Sequence, residues 1–149
     1  MTYHPSFGAQ LKVDWAGGTA YSTIAQVKDI NGPNITRGVT DVTCHDSPDQ
    51  GYREKLPGLP DAGQVTFDLE WDPNDSMHIQ GAGTGLLGDF EQDGCTLAAW
   101  QMTLPGCGGS PIWTFDGFVV AASGVTPVEG SLRQSLTVEI NGKPSLAVS

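Results

Sequence analysis

The sequence predicts a mainly β fold, a β-sandwich or partly open barrel of about six to eight strands, with one short α-helix packed across it and a long β-hairpin loop. Three observations carry this reading. Twenty glycines and ten prolines fall in short clusters along 149 residues, the punctuation of a chain with many turns. The segments between clusters are rich in β-branched and aromatic residues, which suit a pleated, half-buried surface. Only one stretch repeats its apolar residues at helical spacing.

Residues 1–18, with Tyr3, Pro5, Phe7 and Gly17-Gly18, read as an irregular N-terminal arm anchored by its aromatics. TAYSTIAQVKDI (19–30) and ITRGVTDVTCH (35–45) read as strands joined across Asn31-Gly32-Pro33 into a hairpin. The connection from 46 to 63 contains GYREKLPGLPDAG and is 18 residues long. Non-regular loops above about 12–15 residues are uncommon in compact domains and are usually functional or disordered.

QVTFDLEWD (64–72) has the clearest alternation: Val65, Phe67, Leu69 and Trp71 on one face, Thr66, Asp68, Glu70 and Asp72 on the other. A period of two with one apolar and one acidic face predicts a sheet buried on one side and wet on the other. After Asp72-Pro73, Asp75 or Ser76 can cap a helix in which Ile79, Ala82, Leu86, Leu87 and Phe90 share a stripe to about residue 91. Glycines at 81, 83, 85 and 88 weaken it by roughly 1 kcal/mol each relative to alanine. Three further strands follow, at 95–104, 111–123 and 133–142, and then a C-terminal arm, 143–149. No internal repeat interrupts the chain, and 1–149 is expected to form a single domain.

A net charge of −10 with seven Lys and Arg excludes a phosphate-neutralising nucleic-acid surface. No segment reaches the roughly 18 apolar residues of a membrane helix, so no membrane partner is expected. The N-terminus has no basic segment followed by an apolar one, so synthesis in the cytoplasm is expected. Cys44, Cys95 and Cys107 are odd in number, which argues against a disulfide framework, and with His45 they fit no zinc spacing.

Asp68 and Glu70, two apart on one strand face, have the spacing of a catalytic pair, but no aromatic-lined cleft accompanies them. Asp72, Asn74 and Asp75 resemble part of a calcium loop, with Pro73 and a missing terminal Glu breaking the pattern. GAGTG (81–85) and GCGGS (106–110) are not phosphate loops, and no G-x-S-x-G is present. No enzyme, cofactor or metal is expected from the residues. Trp71, Trp100 and Trp113 leave a carbohydrate-binding β-sandwich open as an alternative, although they lie on apolar strand faces.

The ordered series D-I-N-G-P (29–33), T-D-V-T (40–43), S-P-D-Q-G-Y-R-E-K-L-P-G-L-P-D-A-G (47–63) and V-T-F-D-L-E-W-D-P (65–73) resembles the major tail tube protein of long-tailed bacteriophages. His78, W-Q-M-T-L-P (100–105), T-F-D-G-F-V-V (114–120) and N-G-K-P (141–144) continue the series. The resemblance implies a structural virion protein, made in the host cytoplasm, that stacks as hexameric rings into a tail tube through which DNA is ejected. It also implies kinship with contractile-tail and type VI secretion tubes; a secreted type VI-like ring protein is the nearest alternative. Implied partners are further copies of the chain and the tape-measure, tail-tip and tail-terminator proteins, with DNA passing unbound.

Stacked rings need a heterologous contact. The 46–63 loop, carrying Tyr52, Arg53, Glu54, Lys55 and Leu56, is expected to supply it and to order only against the next ring. Tyr3, Phe7, Leu146 and Val148 are second candidates, from the two arms. Asp68, Glu70 and Glu139 are expected to face the lumen and repel phosphate.

Overall fold

The computed structural model describes residues 5–46, 51–79, 81, 84–92, 94–106 and 108–148. Among the described residues nine strands form two sheets. They are β1 (Gln10–Asp14), β2 (Ser22–Thr23), β3 (Val27–Asn31), β4 (Thr36–Asp41), β5 (Lys55–Asp61), β6 (Gln64–Glu70), β7 (Ala98–Thr103), β8 (Pro111–Val125) and β9 (Arg133–Val148). The larger sheet has the order β2-β1-β7-β8-β9-β6-β3 with every pairing antiparallel; among the described residues β4 and β5 pair only with each other.

The larger sheet curls into a half-barrel around its apolar face. The alternation of 64–70 is realised: Val65, Phe67 and Leu69 are buried beside Val138, Leu136 and the core face of β9. Phe67 on β6 and Trp100 on β7 lie three strand spacings apart in the sheet order, about 14 Å if it were flat. Their ring centroids are 6.3 Å apart. The curl closes the concave face, and Trp15 adds an edge-to-face contact on Trp100 at 5.6 Å. Burial of Leu11, Val13, Met102, Phe115 and Ile140 in the same cluster is what holds the curvature.

Several expected elements differ. Gln10–Asp14 is not part of an irregular arm: Leu11 and Val13 alternate into the core and extend the sheet beside β7. Phe7 anchors nothing and is 95% exposed. The strands expected at 19–30 and 35–45 do not pair with each other. Val27 and Ile30 give β3 a core side beside Leu69 and Phe67, whereas all six residues of β4 are exposed and it has no apolar face to contribute. Within the 46–63 connection, Lys55–Asp61 form β5, bonded to β4, where no strand was expected; residues 47–50 lie outside the described residues. The C-terminal arm is also a strand, because β9 runs to Val148 against Pro111.

No α-helix forms among the described residues. Among the described residues of 75–91, turns lead to a single 3-10 turn, Gly88–Glu91; Ala82 of the expected stripe lies outside the described residues. Gly85 takes a positive φ of 80°, and a side chain at Gly88 would collide with the backbone of Gly81. The glycines therefore permit a close crossing of chain on chain that a regular helix would forbid.

Candidate functional site: open sheet edges, a polar face and an unpartnered arm

The expected site residues separate into three places. The first is the polar face of the larger sheet. Cross-strand register puts Gln64 opposite Glu139, Thr66 opposite Thr137, Asp68 opposite Ser135 and Glu70 opposite Arg133, so Asp68, Glu70 and Glu139 share one face. Each carboxylate has a polar partner. Gln64 Nε2 donates to Glu139 Oε2 at 2.7 Å, Ser135 donates to Asp68, and Glu70 pairs with Lys28 and accepts from Ser131. The Lys28 ammonium, then the Ser131 hydroxyl, holds the Glu70 carboxyl below its ordinary range. Further along the same face, burial and then Asp116 and Asp14 push the Tyr21 hydroxyl up.

The second place is the β4–β5 arm. Val42 N–H donates to the Glu54 carbonyl at 2.9 Å, and Thr43 Oγ1 accepts from Glu54 N–H at 2.8 Å. Arg53 Nη1 lies 3.0 Å from Asp41 Oδ2. Thr43, through its hydroxyl and its amide, and then Arg53 hold the Asp41 carboxyl below its usual range. Lys55 sits opposite Asp41 and Leu56 opposite Thr40. Tyr52, Leu56, Val39 and Ile35 are exposed, and Leu59 is 92% exposed. Where the arm leaves the sheet, a groove of about 670 Å³ separates Ile35, Leu59 and Pro60 from Ile140 and Pro144. Leu146 and Val148 are exposed on the far half of β9. Tyr3 lies outside the described residues.

The third place was not anticipated from the sequence: the sheet is staggered and leaves open edges. β7 follows β8 only to the rung Ala98–Gly117, while β9 continues beside β8 to Val125. At that level β8, β9, β6 and β3 form a four-stranded block. Its two edges are β3 and the segment 120–125 of β8; among the described residues neither has a further strand partner. Val120 and Val125 on β8, and Val128 and Leu132 in the following turn, are exposed around this edge. Open edges follow from relative strand lengths, which no single segment of sequence reports.

A buried lock holds the turns beneath the sheet. His78 is fully buried; its Nδ1 accepts from Asp72 N–H at 3.1 Å and its Nε2 donates to the Ala25 carbonyl at 2.8 Å. Trp71 Nε1 donates to the carbonyl of His78 at 3.1 Å. The W-D-P…H series at 71–78 is thus a structural clasp between β6 and the segment before β3. Trp100 is buried, and Trp71 and Trp113 are partly buried and packed against the core. Among the described residues no cluster of His, Cys, Asp and Glu is placed to hold a metal. No described helix is long and apolar enough to cross a membrane. Cys107 lies outside the described residues.

Open sheet edges and an exposed apolar arm are surfaces on which another chain can add. The chain belongs to the lambda phage tail tube protein family, whose model matches residues 12–147. No curated protein matches it. Among solved structures it is similar to the tail of an empty gene transfer agent particle with C6 symmetry, at 18% identity and a TM-score of 0.65, covering 93% of this chain and 94% of that one. It is also similar to a chain of the anti-feeding prophage baseplate (11% identity, TM-score 0.73, coverage 99% and 97%). A chain of an extracellular contractile injection system sheath–tube complex matches at 11% identity and TM-score 0.72, over 99% and 93%. The protein is a structural tail tube protein of the virion.

Proposed function

We propose that six copies close into a ring by joining the open β3 edge of one to the open β8 edge of the next, and that the polar face carrying Asp68, Glu70 and Glu139 lines the bore. The observation that carries this is the four-stranded block. With β8 and β6 running one way and β9 and β3 the other, its two edge strands are antiparallel. A β3 edge therefore meets the next copy's β8 antiparallel, and the alternation continues around the ring. Six blocks give 24 strands, and at about 4.8 Å per strand the bore is about 37 Å before strand tilt widens it. That is wider than a DNA duplex.

Carboxylates held by Ser135, Lys28, Ser131 and Gln64 make a face that repels phosphate, with Lys28 paired to Glu70 and Arg133 the cation opposite it. The arm, through Tyr52, Arg53, Glu54, Lys55 and Leu56 together with Leu59, packs against the adjoining ring; Phe7, Leu146 and Val148 are secondary contacts. A tape-measure protein inside the tube and tip and terminator proteins at its ends are the remaining partners. The work is assembly and passage, without catalysis or cofactor.

The test is Asp68→Lys with Glu70→Lys. Electron microscopy is expected to show tubes of ordinary diameter, while particles carrying the variant deliver DNA poorly. Unchanged infectivity would remove these residues from the bore.

A further inference from the structure

The β7-facing edge of β8 does not simply run out where β7 ends; two side chains close it. Peptide groups two residues apart project from the same edge of a strand, so the Gly117 carbonyl and the Val119 N–H are adjacent groups on that edge. The Trp100 indole Nε1 donates to the Gly117 carbonyl at 3.2 Å. Asp89, from the 3-10 turn, accepts from the Val119 N–H through Oδ2 at 2.7 Å. Gln92 Nε2 holds the other carboxylate oxygen of Asp89 at 3.2 Å.

Asp89 is 3% exposed, and its carboxylate is brought to the strand by glycine-rich turns. Immediately beyond Val119 the register of β8 against β9 shifts, and the open edge begins. A bulge bends a strand and raises its local twist. The chain thus spends a buried carboxylate on one backbone amide at the border between the internally paired and the open parts of a strand.

We propose that Asp89 and Trp100 form a register stop: they close β8 at Gly117 and Val119, so that the β3 strand of a second copy can pair with β8 only along 120–125. The stop sets how far copies overlap, and so the circumference of the ring. This rests on the reading above that the open β8 edge is where a second copy joins.

The experiment compares amide exchange of subunit and assembled tube, with tube diameters by electron microscopy, for the full chain and for D89A, D89N and W100F. In the unsubstituted chain the Val119 amide is expected to be protected before assembly, and amides within 120–125 to gain at least tenfold protection on assembly. D89A is expected to lose at least tenfold protection at Val119 and to assemble into tubes of mixed diameter or irregular aggregates. D89N keeps an oxygen acceptor and is expected to restore uniform tubes. W100F keeps an aromatic ring in the core and removes only the indole N–H; it is expected to broaden the diameters, and it decides the matter if D89A does not fold.

Failure of 120–125 to gain protection in the unsubstituted tube would overturn the edge contact itself. Protection there, combined with uniform tubes from D89A, or from W100F if D89A does not fold, would leave the ring contact standing and overturn the stop.

Discussion

The β8–β9 and β4–β5 hairpins use the same antiparallel ladder and meet opposite fates. β8 and β9 bury Phe115, Val119, Leu136, Val138 and Ile140 on one face, and β9 carries polar residues on the other. β4 and β5 bury essentially nothing: only Gly58 in the two strands is less than exposed. An isolated two-stranded hairpin is marginal in water because it has no third strand or packed face to offset its ordering entropy. The arm is held at its tip by Asp41, Thr43, Arg53 and Glu54, while Leu56 and Leu59 remain bare. The subunit therefore divides its apolar surface into a part buried in the sheet and a part left exposed on the arm, which the proposal above assigns to other copies.

The largest test of this division lies in the sheet. Trp100 is fully buried, touches Trp15 and Phe67, and bonds Gly117. Trp100→Ala is expected to cost about 3–5 kcal/mol through lost burial and the cavity left behind. Urea denaturation of the subunit measures it. A cost below about 1 kcal/mol would mean that the curled sheet is not held by this core.

Leu59 should respond in the opposite sense. Leu56→Ser with Leu59→Ser is expected to leave subunit stability within about 0.5 kcal/mol, as for other exposed positions, while long tubes are lost. Denaturation paired with negative-stain microscopy checks both halves. Ordinary tubes would show that the arm's apolar residues are not reserved for a neighbour.

The same contrast explains what could be read from the sequence. The alternation of β6 was legible because burial selects every second residue, and it put Asp68 and Glu70 on one face; that Glu139 shares this face follows only from the β6–β9 register. QLKVD carried a similar alternation, but it was short and lay among glycines and aromatics that suggested an irregular arm. KLPGLPD is strand without burial: its two prolines and its glycine are tolerated because, among the described residues, neither strand of the arm has a second neighbour. Beyond Ile140, Gly142 and Pro144 read as an end to β9, yet the strand continues because Pro111–Thr114 are there to pair with it. The edge stop was hidden for a different reason. Asp89 acts on an amide thirty residues away, and that pairing exists only after the glycine-rich turns have crossed.

The smallest expected effect is in pH dependence, where sheet and arm should again oppose each other. Burial raises the Asp89 carboxyl above its ordinary 3.8, outweighing the Val119 hydrogen bond that lowers it. A raised acid gives stability that is fully present below the unfolded value and is lost as pH rises through the folded one. The Asp89 contribution to subunit stability should therefore fall as pH climbs from about 3.8, against the opposite contributions of Glu70 and Asp41. Asp89→Asn should remove it, so that the difference between the unsubstituted chain and the variant, read by thermal unfolding at a series of pH values, changes with pH. Asp41 is shifted the other way by Thr43 and Arg53. Its contribution is present above the ordinary 3.8 and is lost as pH falls through its lower folded value, so amide protection in the arm should decay only on the acidic side. Arg53→Ala removes one of the groups that lower Asp41 and should move that decay upward in pH, leaving the Asp89 slope where it was. A shift of both together would mean that arm and sheet unfold as one unit, and the division of surface between folding and assembly would have to be redrawn.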